Sequence, residues 1–231
     1  DQGESDRRLT LLTRELGKID CTAKGAKKVA SRLRGVSEPL CAGRFTFAAG
    51  KKQRYVTSAQ PRSAFPGLRT DFDRLNMGIS WGELCSYVLP YEEPFEEAFE
   101  LCSKALGELE KHPKPAVALA WSEVKLLELT GFAPSFDRCI VTGDPIKEAE
   151  AYFSCRAGGY VSRAACGDYS DRFLVRAEAL YGLTALMALD NPPANLKFVN
   201  ECLILLQPYW ESICEHPLLA RKQLLASLTS G

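Results

Sequence analysis

Two hydrophobic periods divide the chain. Between Arg8 and Gln60 apolar side chains recur at every second position: Leu9, Leu11 and Thr13, then Ile19, Cys21 and Ala23 alternating with Asp20, Thr22 and Lys24. Glu15-Leu16-Gly17-Lys18 separates the two runs with a glycine-containing turn, so they read as a hairpin. Phe45 and Phe47 alternate in a third strand, Gly50-Lys51-Lys52 predicts a tight turn, and Arg54 to Ala59 returns as a fourth. Several short strands in so short a stretch point to a small closed or nearly closed barrel.

From Pro66 the period lengthens to between three and four. Leu68, Phe72, Leu75 and Ile79 continue into Leu84 and Val88 as one helix that Pro90 stops. Pro94 opens a second, with Phe95, Ala98, Phe99, Cys102 and Leu106 on one stripe, and Pro115 a third, with Val117, Ala120, Trp121, Val124, Leu127 and Leu129, ending at Gly131. Two more run from Phe173 to Leu189 and from Leu196 to about Trp210. This half reads as a bundle of five or six helices. Residues 131–170 interrupt it with Gly, Pro, Asp and Cys, and a loop of that length needs its own small structure or a task. The expected fold class is therefore α+β, with a barrel over residues 1–61 and a helical domain over 62–231 that carries a Cys-containing loop at 131–170.

Charge sharpens the division. The protein is neutral overall, yet residues 1–60 hold 13 basic and 6 acidic side chains, which leaves 16 and 23 for the remainder. Between Lys18 and Arg54 ten cations (Lys18, Lys24, Lys27, Lys28, Arg32, Arg34, Arg44, Lys51, Lys52 and Arg54) face only Asp20 and Glu38. Lys24, Lys27, Lys28, Arg32 and Arg34 crowd a glycine-bounded connection leaving a strand. They are the candidate phosphate contacts, because neutralising a polyanion releases its condensed counterions and gives salt-sensitive binding that is largely blind to sequence. Tyr55, Phe45 and Phe47 offer stacking faces for bases, with the barrel core as the alternative place for the two phenylalanines.

Other chemistry finds little support. No apolar run is long enough to cross a bilayer. The first residues lack both the apolar core of a secretory signal and the acid-poor make-up of a transit peptide, although a segment ahead of Asp1 stays open. Nine cysteines, an odd number scattered through apolar patterns, suit reduced thiols in a cytoplasmic protein. His112 and His216 each precede a proline at a helix end and have no partner at catalytic spacing; nucleotide-binding glycine motifs are missing. A metal-dependent nuclease would need acids gathered around the loop, where Asp137, Asp144, Asp168 and Asp171 occur without histidine. The chain does not read as an enzyme. The loop has a zinc-ribbon outline, but a zinc knuckle pairs two thiolates as Cys-x-x-Cys. Here Cys139 is followed by Thr142 and Cys166 is preceded by Arg163, with Cys155 between, so the expectation is no cofactor and a metal-free knuckle, with zinc as the alternative.

Several collinear segments resemble the RecO family of bacterial recombination mediators. They are Gly3-Glu4-Ser5-Asp6-Arg7, Leu11-Leu12-Thr13-Arg14-Glu15-Leu16-Gly17-Lys18-Ile19, Ala23-Lys24-Gly25-Ala26-Lys27-Lys28, Ser31-Arg32-Leu33-Arg34-Gly35, Phe65-Pro66-Gly67-Leu68, Leu126 to Pro134, Asp137-Arg138-Cys139 and Arg156-Ala157-Gly158-Gly159. The resemblance implies an OB-fold barrel, with one more strand ahead of Gly3, followed by a helical domain with a zinc-ribbon-like insertion. It implies DNA repair and recombination in a cytoplasmic, nucleoid-associated protein that binds single- and double-stranded DNA and anneals complementary strands. The implied partners are RecR, with which RecA is loaded onto strands covered by the single-stranded-DNA-binding protein SSB, and the acidic-apolar C-terminal tail of SSB. That tail requires an apolar pocket with a cation beside it, for which Arg69, Lys125, Arg138, Arg172 and Arg176 are candidates. The rival expectation is an adaptor whose basic barrel docks an acidic protein.

Overall fold

A computed structural model describes residues 4–50 and 53–229. The hairpin forms as its alternation predicts, with β1 (Arg7–Thr13) antiparallel to β2 (Gly17–Ala23). β3 (Ala42–Ala49) and β4 (Arg54–Ser63) make a second antiparallel pair, interrupted by register shifts at Ala42/Gly43 and Thr46/Phe47. The expected turn at Gly50-Lys51-Lys52 lies partly outside the described residues. A short parallel contact, Cys21 with Arg54 and Thr22 with Tyr55, joins the hairpins in the order β1-β2-β4-β3. Leu9 and Leu11 from one outer strand and Phe45 and Phe47 from the other pack against the same interior of Cys21, Ala23, Ala26 and Val56. The sheet therefore curls around its own small core. Among the described residues the outer strands do not pair with each other, so the ring is held together by packing rather than by a closing ladder.

The helical layer differs from the pattern reading in three places. The first helix is broken into α1 (Pro66–Arg69) and α2 (Phe72–Val88), because Asp71 takes the N-cap position and its carboxylate accepts the Arg74 N–H at 3.0 Å. Phe72, assigned to the buried stripe, is instead 75% exposed. α3 (Glu96–Lys111) and α4 (Pro115–Leu129) follow as expected. Inside the loop, β5 (Glu150–Ser154) pairs with β6 (Gly159–Val161) and with β7 (Phe173–Arg176), so the start of the predicted Phe173–Leu189 helix is a strand and α5 is only Ala177–Met187. α6 (Val199–Cys214) begins after Phe198 in left-handed geometry and continues past Pro208, and α7 (Leu219–Thr229) closes the bundle.

α4 is the axis of this layer, buried around most of its circumference from Val117 to Leu127. One of its charges is buried. Glu123 is fully buried and is held by Arg221 of α7 through two bonds, Nε to Oε1 at 3.1 Å and Nη2 to Oε2 at 2.8 Å. Arg221 also donates to Gln207 Oε1 at 2.6 Å and the Leu203 carbonyl at 2.8 Å, and the Trp210 indole donates to Glu123 at 3.0 Å. Glu83 on α2 accepts the Ala220 and Arg221 N–H groups at the start of α7.

Strands and helices meet along a seam at the start of β2. Gly17 has φ +68 and lies against the Glu93 backbone so closely that a Cβ would overlap the Glu93 carbonyl. Next to it, Lys18 is 4% exposed; its ammonium donates to the Ser86 carbonyl at 2.5 Å and lies 4.0 Å from the Tyr91 ring centre. Burial lowers the Lys18 pKa, an effect that nearby Asp20 and Cys85 oppose. Arg54 reaches Glu92 at 2.5 Å, and Arg14 pairs with Glu96 at 2.9 Å and with Glu100.

Removing one partner of a buried, hydrogen-bonded ion pair leaves the other charge stranded. Glu123→Ala is expected to lower the free energy of unfolding by about 3–5 kcal/mol in urea titrations followed by circular dichroism.

Candidate nucleic-acid interface

The basic connection between β2 and β3 is a chain of tight turns. Lys28 N–H bonds the Gly25 carbonyl, Ser31 the Lys28 carbonyl and Arg34 the Ser31 carbonyl, each at three-residue spacing. Gly25, with φ +62, starts the run, and its N–H is held by Asp6 Oδ1 at 2.7 Å. Buried Ala26 and Val36 pin the two ends, and Leu33 packs against the barrel core between them. The apolar anchors point inward, so the intervening charged side chains are left outside.

All five candidate cations, Lys24, Lys27, Lys28, Arg32 and Arg34, are exposed, and none of them forms an ion pair among the described residues. Lys24 lies 4.3 Å above the Tyr55 ring centre. The two acids within the stretch are turned elsewhere: Glu38 pairs with Arg7 at 2.9 Å, and Asp20 accepts from Thr10 Oγ1 at 2.7 Å. Other basic residues of the same stretch separate from this group. Lys18 and Arg54 are engaged in the seam, and Lys51 and Lys52 lie outside the described residues. Arg44 is exposed on β3; Arg8 on β1 and Arg62 on β4 are exposed as well, and the count between Lys18 and Arg54 did not include these two. Their signal was positional, since each occupies an outward position in a strand. Phe45 and Phe47 stack on one another, centroids 6.4 Å apart, against the barrel interior, which leaves Tyr55 as the aromatic ring next to the cations.

Two family models match in succession, the N-terminal domain of recombination protein O over residues 1–65 and its C-terminal domain over residues 69–221. The chain belongs to the RecO family. A protein named DNA repair protein RecO from Heliobacterium modesticaldum is 32% identical over 192 residues, covering 81% of this chain and 70% of its own length. The RecO of Bifidobacterium adolescentis is 31% identical over 225 residues, 94% of this chain and 91% of that protein, and that of an Exiguobacterium species is 27% identical over 216 residues, 92% and 84%. RecO membership identifies the curled N-terminal sheet as OB-fold-like and assigns the chain to DNA repair and recombination. No helix among the described residues is long and apolar enough to cross a membrane.

The remaining candidates do not gather into a reactive centre. His112 is buried and bonds the Pro193 carbonyl at 3.1 Å through Nε2, while His216 stacks on Tyr87. Asp171 caps a turn, accepting from Ser154 Oγ at 2.8 Å and Arg156 N–H at 2.9 Å; burial raises its pKa, but these bonds outweigh it and leave it lowered. In the RecO insertion, Cys139 and Cys166 each sit in a tight turn of knuckle shape. Cys139 Sγ accepts the N–H of Ser162 at 3.2 Å and of Thr142 at 3.5 Å. Burial pushes its pKa up, but hydrogen bonds from Ser162 and Thr142 prevail and bring it to about 6. Cys166 Sγ donates to the Arg163 carbonyl at 3.3 Å. Thr142 and Arg163 stand where a second thiolate of each pair would be, and an arginine repels a cation. No group of three or more His, Cys, Asp or Glu able to hold a metal occurs among the described residues, so the donor set does not fit structural zinc. Incubation with a strong chelator is expected to leave the thermal unfolding midpoint unchanged, whereas a fall would show that a metal supports the fold.

Proposed function

We propose that the protein is a non-enzymatic recombination mediator that binds single- and double-stranded DNA through Lys24, Lys27, Lys28, Arg32 and Arg34, and anneals complementary strands. With RecR it helps to load RecA onto strands coated by SSB, in the cytoplasm at the nucleoid. The observation that carries this reading is the set of five exposed cations without ion pairs, mounted on turns whose apolar anchors fix them to the barrel. Annealing makes and breaks no covalent bond. Two strands repel through their phosphates, and a surface that screens both while leaving base edges free lowers the barrier to pairing. The zinc-ribbon-like insertion serves in this reading as a metal-free structural module.

The helical domain offers a seat for the SSB tail. Among the five cations considered from sequence, Arg69 is tied to the Pro39 carbonyl, Arg138 to Gly143, Arg172 to Tyr169, and Arg176 covers Phe198. Lys125 borders a shallow hollow of about 450 Å³ between α3 and α4, floored by Leu101, Trp121 and Leu129, where its ammonium is held by Glu128 at 2.8 Å and by the Met187 carbonyl at 2.5 Å. Lys104 lies on the same hollow, 5.1 Å from the Trp121 ring centre. The apolar floor suits a short apolar segment, and its terminal carboxylate would take Lys104 from the Asp190 carbonyl and Lys125 from Glu128, on a rim that Glu97 also lines.

The triple variant Lys27→Ala, Lys28→Ala, Arg32→Ala is expected to weaken oligonucleotide binding for all sequences alike and to reduce the log–log salt slope by about 0.7–0.9 for each phosphate that is no longer neutralised. Gel-shift titration at several salt concentrations measures this. An unchanged slope removes the assignment, and no salt-linked affinity in the parent protein favours an adaptor docking an acidic partner. Lys104→Ala with Lys125→Ala is expected to weaken binding of a fluorescent SSB-tail peptide by about tenfold or more, the loss of charge-assisted bonds, while a peptide amidated at its C-terminus binds both proteins poorly.

A further inference from the structure

Cys85 in the last turn of α2 and Cys102 in α3 bring their sulfur atoms to 3.2 Å across the two helices. No other pair of the nine cysteines places its sulfurs within hydrogen-bonding distance. A disulfide bond is about 2.05 Å long, so the two thiols need an approach of only about 1.2 Å, within reach of small side-chain rotations. The surroundings also bear on reactivity. Cys85 is partly exposed and Cys102 is nearly buried. Burial pushes the Cys85 thiol well above its ordinary range, the bond with Cys102 adds to this, and the Lys18 ammonium opposes it. The thiolate is therefore scarce and the pair reacts slowly, so closure depends on the short sulfur–sulfur approach rather than on an activated thiol.

We propose that Cys85 and Cys102 are a peroxide-sensitive pair that closes reversibly into a disulfide. In the small fraction of molecules in which Cys85 is deprotonated, its thiolate attacks one oxygen of hydrogen peroxide. The O–O bond breaks, one oxygen leaves as hydroxide and takes up a proton to become water, and Cys85 is left as a sulfenic acid. The sulfur of Cys102 attacks that sulfenic sulfur, and the S–S bond forms as the S–O bond breaks. The departing hydroxide takes the Cys102 proton to become a second water. Two thiols lose two protons and two electrons, and one peroxide becomes two waters.

The placement gives the bond a structural consequence. Ser86, the neighbour of Cys85, supplies the carbonyl that Lys18 grips, and the Cys85 carbonyl accepts the Leu89 N–H that caps α2. A Cys85–Cys102 link ties this last turn to α3, whose first turns carry the Arg14 partners Glu96 and Glu100. Both halves of the seat for the N-terminal sheet then become one cross-linked unit.

The full-length protein is treated with hydrogen peroxide under native conditions, its remaining thiols are alkylated, and the digest is analysed by mass spectrometry. The expected result is a linked peptide pair containing Cys85 and Cys102 that is lost on treatment with dithiothreitol, with no link between other cysteines and with Cys139, whose pKa is about 6, as the other site of oxidation. The oxidised protein should unfold several degrees higher than the reduced one, with slower amide exchange in the peptides around Lys18 and Ser86. Cys85→Ser and Cys102→Ser should each abolish the linked peptide and the upward shift while retaining a folded circular dichroism spectrum. Should either variant fail to fold, the parent protein decides the matter through the linked peptide and its reversal. Recovery of Cys85 and Cys102 both alkylated after peroxide treatment, or a midpoint that falls when the link forms, overturns the proposal.

Discussion

The contact of Gly17 and Lys18 with the segment after α2 decides how the charges of this protein are used. Seating β2 there buries an ammonium group, which is tolerable only because the Ser86 carbonyl and the Tyr91 ring receive it. The close approach of the Glu93 backbone demands a residue without a side chain in left-handed geometry, and Gly17 meets both conditions. Arg14 and Arg54 extend the same seam to acids of the helical layer. Cations near the seam are thereby committed to holding the two halves together. Those on the turn-built connection beyond β2 are exposed and form no ion pair among the described residues.

α4 carries two unlike environments on neighbouring residues. Trp121 and Lys125 face the hollow toward α3, whereas Glu123 turns into the interior to meet Arg221. Burying a full ion pair gains little net stability, but its directional bonds fix how α7 crosses the bundle and hold Trp210 and Gln207 in place. Glu83 extends that fixation to α2 by binding the first N–H groups of α7. The apolar floor of the hollow thus rests on a helix whose rotation is set from its opposite side.

Where one face of an element was buried and the other wet, the sequence pattern was sufficient. The β1–β2 hairpin and α3 both followed their periods. The break between α1 and α2 was missed because the apolar period runs through it, although Asp71 three residues before Arg74 is an N-cap signal. Phe173-Leu174-Val175-Arg176 fits either period over so few residues, and pairing with β5 made it a strand. For the candidate site, composition located the basic connection but did not distinguish free from engaged cations. Lys18 and Lys27 read alike along the chain, and the carbonyl that captures Lys18 is 68 residues away. Likewise Lys104 drew no notice on an acidic helix until the fold set it beside Trp121.

α3 is the element on which the two proposed surfaces converge. Its first turns hold Glu96 and Glu100, the partners of Arg14 on the N-terminal hairpin, and Glu97, Leu101 and Lys104 of the same helix line the hollow proposed for a carboxylate-ended tail. A tail bound there would sit about one helical turn from the acids that seat the N-terminal sheet. Arg14 pairs Glu96 and Glu100, which leaves Glu97 as the acid of these first turns that lines the hollow. The exposed cations of the basic connection and the cations of the hollow thus lie on different elements. The neutral total charge is then the sum of two opposite local fields, each fitted to a different task.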